Sequence, residues 1–171
     1  MPQQARQAGR SWWRTKVRQF RSHLGAKVAP SERDDLAGWL TTAQLRLYDG
    51  MHVADQRHGL DVVTTLRREG VSEPDVLIAG LLHDTGKGLM GIWPRVVFSL
   101  GQAYGEWVWR FVAWRPAFGA ALERLRDHPI ESARLAAAAG CSERTVALIQ
   151  DQEAPRDPQF GEILRLADEA N

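Results

Sequence analysis

The sequence predicts an all-α fold, and three observations carry that prediction. Apolar residues recur at steps of three and four over most of the chain, with no stretch alternating at period two long enough for a strand. Helix starts and stops, as Ser, Pro and Gly at the expected offsets, punctuate those runs. Length and composition, 171 residues with 44% hydrophobic and 25% charged, describe one ordinary globular domain and exclude a mostly disordered, collagen-like or disulfide-rich chain.

The first element is a basic amphipathic helix. Trp13, Val17, Phe20, Leu24 and Val28 follow one another at helical spacing, and Pro30 stops the run. Residues 1–30 form this N-terminal element, and residues 31–171 form the helical domain. Ser31 with Asp34 resembles a capping box and opens a second helix through Leu36, Leu40, Ala43 and Leu47, ended by Asp49-Gly50. A third helix runs from about Ala54 to Glu69, where Gly70 breaks it. Ser72 caps a fourth, with Pro74 in its first turn, and Val76 to Leu82 is apolar on nearly every side, as in a helix at the middle of a bundle.

Beyond that lies an aromatic-rich stretch over residues 91–118, holding eight of the fourteen aromatics among Arg95, Arg110 and Arg115. Base stacking, the membrane interface and a hairpin shielding the core are all open to such a mixture. A short helix to about Arg126 follows, then an Asp127-His128-Pro129 turn and a helix from Pro129 to Ala139. Ser142 caps a helix to about Gln152, Pro155 and Pro158 mark a loop, and a last helix carries Ile163, Leu164, Leu166 and Ala167.

Charge is unevenly spread. Residues 1–30 contain seven basic side chains and no acid, while the rest of the chain has 15 basic and 21 acidic residues. This asymmetry suits contact with an anionic membrane surface, with nucleic acid, or with the acidic body of the protein itself. No run free of charged residues exceeds ten residues, too short for a spanning helix. The single cysteine, Cys141, excludes an intramolecular disulfide and fits a reducing cytoplasm, with a membrane-peripheral location open through residues 1–30.

The chemically informative segment is LIAGLLHDTGKG. It sets His83 and Asp84 directly after the most buried-looking helix, where unpaired polar groups are costly. An imidazole nitrogen and a carboxylate oxygen at a helix end can share one ion. Two further candidate ligands lie on other predicted helices, His58 in DQRHGLDVV and Asp168 in ILRLADEAN. Each has an ordinary reading: a histidine favoured at a helix C-terminus, a turn Asp, a surface His, a solvated acid.

The set His58, His83-Asp84-Thr85-Gly86-Lys87, Asp127-His128-Pro129 and the LADE helix resembles the HD-domain superfamily of metal-dependent phosphohydrolases, in its HDxGK variant, over about residues 54–170. The resemblance implies a helical bundle, hydrolysis of a phosphomonoester, phosphodiester or nucleotide, and one divalent ion (Mn, Fe, Ni, Zn or Mg) on His58, His83, Asp84 and Asp168. Asp84 and Lys87 become the catalytic residues, Lys87 offsetting phosphate charge, and Arg57 beside His58 is a candidate for the same task. His128 is a substrate contact or a ligand of a second ion.

The chain departs from the pattern in two places. Family members with two metals carry a helix that often reads IRxHH, and Ile149-Gln150-Asp151-Gln152-Glu153 stands here instead, leaving Glu153 as a second-site candidate. The nucleotidase-like branch has acids soon after its HD pair, whereas the first acid after Asp84 is Glu106, so no general acid is identifiable. The rival expectation is an HD-fold module that binds or senses a phosphorylated ligand, or an adaptor for membrane or nucleic acid.

Overall fold

The structure is a computed structural model that describes residues 25–89 and 116–171, with side chains from residue 123 onward in the second segment. Among the described residues there are seven α-helices and no strand. They are α1 (Pro30–Ala37), α2 (Thr42–Asp49), α3 (Val53–Arg68), α4 (Pro74–Leu82), α5 (Pro116–Ala138), α6 (Glu143–Gln150) and α7 (Gly161–Ala170). A 3-10 turn, Thr85–Lys87, follows α4. None of the described helices is long and apolar enough to cross a membrane.

Helix α4 is the axis of the bundle. Every residue from Val76 to Leu82 is buried, which explains the apolar run on all sides. Helices α2, α3, α6 and α7 pack against it, and α5 packs on α6 and on the 3-10 turn. The core joins Leu60, Val63 and Leu66 of α3 to Leu77, Leu81 and Leu82 of α4, Ile149 of α6 and Leu164 of α7. Gly59 lets α3 approach α4 closely: a Cβ there would stand 2.5 Å from the Leu81 carbonyl oxygen. Only glycine permits that approach.

Several expected boundaries shift, each for a local reason. The predicted basic helix does not extend to Val28: residues 25–29 are a turn and irregular chain. Its remainder, with the membrane and nucleic-acid contacts assigned to residues 1–30, lies outside the described residues, as does most of the aromatic stretch. The helix read from Ser31 to Asp49 is two helices. Glu32, not Ser31 with Asp34, supplies the first cap by accepting the Ala29 N–H at 2.9 Å. Thr41 and Gln44 then restart the chain through reciprocal bonds of 3.3 and 2.9 Å. Helix α4 starts after Glu73 rather than from a Ser72 cap, and α6 ends at Gln150.

The largest correction concerns Pro129. The expected turn at Asp127-His128-Pro129 is the interior of α5. A proline removes the N–H that would reach the carbonyl four residues back, here that of Leu125. His128 compensates: its Nδ1–H donates to the Leu125 oxygen at 2.6 Å. The helix continues, and the imidazole is fixed with Nε2 pointing away from its own backbone.

Candidate metal centre

Three helices bring the cluster together. His58 enters from α3, His83 caps the C-terminal end of α4, and Asp168 comes from α7. Their ligand atoms all lie within 4.8 Å of one another, so this group of side chains has the composition and spacing to hold a metal ion. His58 Nε2 is 2.8 Å from Asp168 Oδ1, and His83 Nε2 is 3.3 Å from the same oxygen. The two imidazole rings meet edge to face with centroids 5.1 Å apart. His83 Nδ1–H donates to the Gly80 carbonyl at 2.9 Å, which turns its Nε2 toward the carboxylates.

Asp84 begins the 3-10 turn on the far side of His83. Its Oδ1 is 3.4 Å from His83 Nε2 and 3.5 Å from His128 Nε2. This oxygen is buried and has no hydrogen-bond partner among the described residues. The other oxygen is engaged by Lys87, whose ammonium lies 2.6 Å from Oδ2. Ligand atoms about 2.1 Å from an ion stand about 3.0 Å apart at right angles and about 3.4 Å apart at the tetrahedral angle. The separations around His83 are long for hydrogen bonds and ordinary for edges of a coordination polyhedron.

The cluster's electrostatics follow from this packing. Burial would raise the pKa of Asp84, but His83, Lys87, His58 and His128 hold it well below the carboxylate range. Asp168 is likewise lowered against its burial by His83 and His58. Burial by itself would lower His83, and the two carboxylates raise it instead. For Lys87 burial is again overcome, by the charges of Asp84 and Asp55, and the ammonium is stabilised. His128 behaves oppositely: burial and the nearby Lys87 push it down to about 4, so at neutral pH it is an uncharged imidazole.

The 3-10 turn is seated on α5 by Gly86. Its N–H donates to Ser132 Oγ at 2.8 Å, and a Cβ at this position would stand 2.5 Å from the His128 carbonyl oxygen. Asp84 and His128 are therefore brought side by side by one close backbone approach.

Of the residues expected at the site, His58, His83, Asp168, Asp84, Lys87 and His128 are together. Arg57 is not. It pairs with Glu32 at 2.6 Å and Asp61 at 2.9 Å, tying α1 to α3, because neighbours on a helix point about 100° apart. Glu153 is exposed in the turn after α6, and it is Gln152 whose Nε2 lies 3.3 Å from His128 Nε2. Three contributors escaped the sequence reading: Gln152 as the partner of His128, buried Ser132, and Asp55, buried one turn before His58 on the inward face of α3. The signal for Asp55 was present in its spacing of three from His58. Comparison with protein-family models, with curated proteins and with solved structures gives no match.

Proposed function

We propose that this chain is a metal-dependent phosphohydrolase of the HD-domain type, holding one divalent ion on His58, His83, Asp84 and Asp168 and acting on a phosphomonoester, phosphodiester or nucleotide. The observation that supports this most is Asp84 Oδ1, a buried carboxylate oxygen with no hydrogen bond, standing between two imidazole nitrogens. Such an orphan is costly unless something outside the protein satisfies it. The donor set, two imidazoles and two carboxylates, suits a first-row divalent cation. When bound, that ion acidifies a coordinated water and polarises a phosphoryl oxygen.

The chain's own residues supply orientation and access. His83 and Asp84 are buried and form the floor, whereas His58 and Asp168 are 22% and 35% exposed in their side chains. Water and substrate therefore reach the cluster across its His58–Asp168 edge. Lys87 fixes the Asp84 rotamer and places a positive charge beside the incoming phosphate. The neutral His128 accepts from the Gln152 amide, whose nitrogen lies 3.3 Å from its Nε2.

The second reading is a module that binds a phosphorylated ligand without hydrolysing it. It is favoured by the state of the two carboxylates among the described residues: Asp84 and Asp168 are both held ionised, and neither can protonate a leaving group.

Metal content by plasma mass spectrometry, on the wild type beside Asp84→Ala after identical desalting, tests the centre. About one ion per chain in the wild type and almost none in the variant is expected. No metal in either, after reloading with Mn²⁺ or Ni²⁺, overturns the reading. With the metal established, phosphate release from a substrate panel separates the enzyme from the ligand-stabilised, non-hydrolysing module.

A further inference from the structure

Asp84 has an imidazole nitrogen on either side of Oδ1, His83 at 3.4 Å and His128 at 3.5 Å. Both rings have their other nitrogen committed to a backbone carbonyl, so both direct Nε2 at the carboxylate. By residue type alone, the space between Asp84 and His128 is a second cation position with Asp84 as the shared ligand. Two groups stand in the way. The Lys87 ammonium is 2.6 Å from Asp84 Oδ2, and the Gln152 amide nitrogen is 3.3 Å from His128 Nε2.

We propose that the Lys87 ammonium is a built-in substitute for a second cation and limits this site to one divalent ion, with the Gln152 amide covering the His128 lone pair. The proposal rests on the metal reading above and goes beyond it by naming the residues that hold the count at one ion.

Charge and hydrogen bonding argue the same way. The Lys87 ammonium already occupies one oxygen of Asp84, and the first ion would draw on Asp84 and Asp168. A second divalent ion would lie a few ångströms from an ammonium already bonded to the carboxylate it needs, in surroundings that screen the repulsion poorly. The Nδ1–H of His128 is a donor, so its Nε2 is a lone pair, and an N–H of Gln152 is the matching donor. On this side the Lys87 ammonium, the Gln152 amide and the His128 Nδ1–H each have an acceptor within the protein. On the His58 side two imidazoles and a carboxylate converge with no ammonium or amide donor among them.

The test is Mn²⁺ stoichiometry and electron paramagnetic resonance on the full-length chain as wild type, Gln152→His, Lys87→Met and the double variant. The first ion, on His58, His83, Asp84 and Asp168, serves in each as an internal check of folding. Wild type and Gln152→His should bind one Mn²⁺, since both keep the ammonium. The double variant should bind two, with a spin-coupled signal and a second Kd at least about a hundredfold tighter than any second binding to Gln152→His. Two ions in the wild type or in Gln152→His overturn the role of Lys87 while leaving the metal centre standing. No ion in the wild type overturns both. One ion in a double variant that keeps the first site overturns the proposal. If the double variant does not fold, Lys87→Met decides: a second, weaker ion is expected, and a single ion at millimolar Mn²⁺ overturns it.

Discussion

The two sides of Asp84 use the same side-chain chemistry to opposite ends. On one side His58, His83 and Asp168 gather from three helices, both imidazole Nε2 atoms converging on one carboxylate oxygen. On the other, His128 Nε2 meets Gln152 and Asp84 Oδ2 meets Lys87, while Asp84 Oδ1, between the two sides, has no partner among the described residues. Each side depends on one glycine at a close backbone approach, Gly59 against Leu81 for the first and Gly86 against His128 for the second. The difference teaches that a histidine and a carboxylate do not make a metal site by proximity. What makes one is a surplus of acceptors over donors, which leaves a polar atom such as Asp84 Oδ1 to be satisfied from outside.

The comparison breaks most completely at the residue the two sides share. Asp84→Ala removes the orphan oxygen and the partner of Lys87 together, and metal affinity is expected to fall by about a hundredfold or more, read by Mn²⁺ titration. The glycine seams come next. Gly59→Ala or Gly86→Ala forces a methyl to within 2.5 Å of a carbonyl oxygen, and each should lower stability by about 3 kcal/mol in denaturant unfolding. Gly140→Ala is the contrast: its φ of +76° is strained for alanine, but nothing lies within 4 Å, so about 1 kcal/mol is expected.

A sharper cut separates the two sides. Ser132→Ala leaves the Gly86 N–H buried without its acceptor and should cost about 2 kcal/mol. The His58, His83 and Asp168 group is untouched, so the affinity for the first Mn²⁺ should stay within about threefold. A loss as large as that of Asp84→Ala would show the two sides to be one unit.

The smallest effect lies away from the site. Arg144 and the backbone N–H groups of Phe160 and Gln159 hold the Asp157 carboxyl down to about 2. A depressed carboxylate stabilises the fold above its unfolded pKa, and this stabilisation is lost as pH falls from about 4 through about 2. Asp157→Asn should therefore unfold more readily at neutral pH, by about 1 kcal/mol or less given the exposure of its partner Arg144. Its stability should also depend less on pH across that window, as followed by thermal melts.

The legible part of the sequence was local. The caps, the spacing of three and four, and Gly70 and Gly140 at helix ends placed α3, α4, α6 and α7 nearly where they stand. The run from Val76 to Leu82 announced a central helix, and the polar pair after it announced the cluster. The misreadings were of two kinds. Pro129 and the segment from Gly38 to Thr41 look alike as breakers or non-breakers until it is known which side chain takes the freed backbone group. His128 closes the helix over Pro129, whereas Thr41 and Gln44 open a new one. Arg57 was chosen as the neighbour of His58, and Glu153 for its place in the segment that stands where two-metal family members have IRxHH; a helical or turn backbone turns both away from the cluster.

By itself the sequence determined the helical class, the buried axis α4, and the presence at its end of polar groups in need of a partner, because hydrophobic periodicity and capping are read within a turn or two of chain. Tertiary structure alone decided which polar groups meet. His58, His83 and Asp168 are brought together across a 110-residue separation, and Gln152 rather than Glu153 reaches His128. Whether a buried lone pair is satisfied within the protein or left for a ligand depends on the donors that distant helices deliver to it, and that balance is set only by packing.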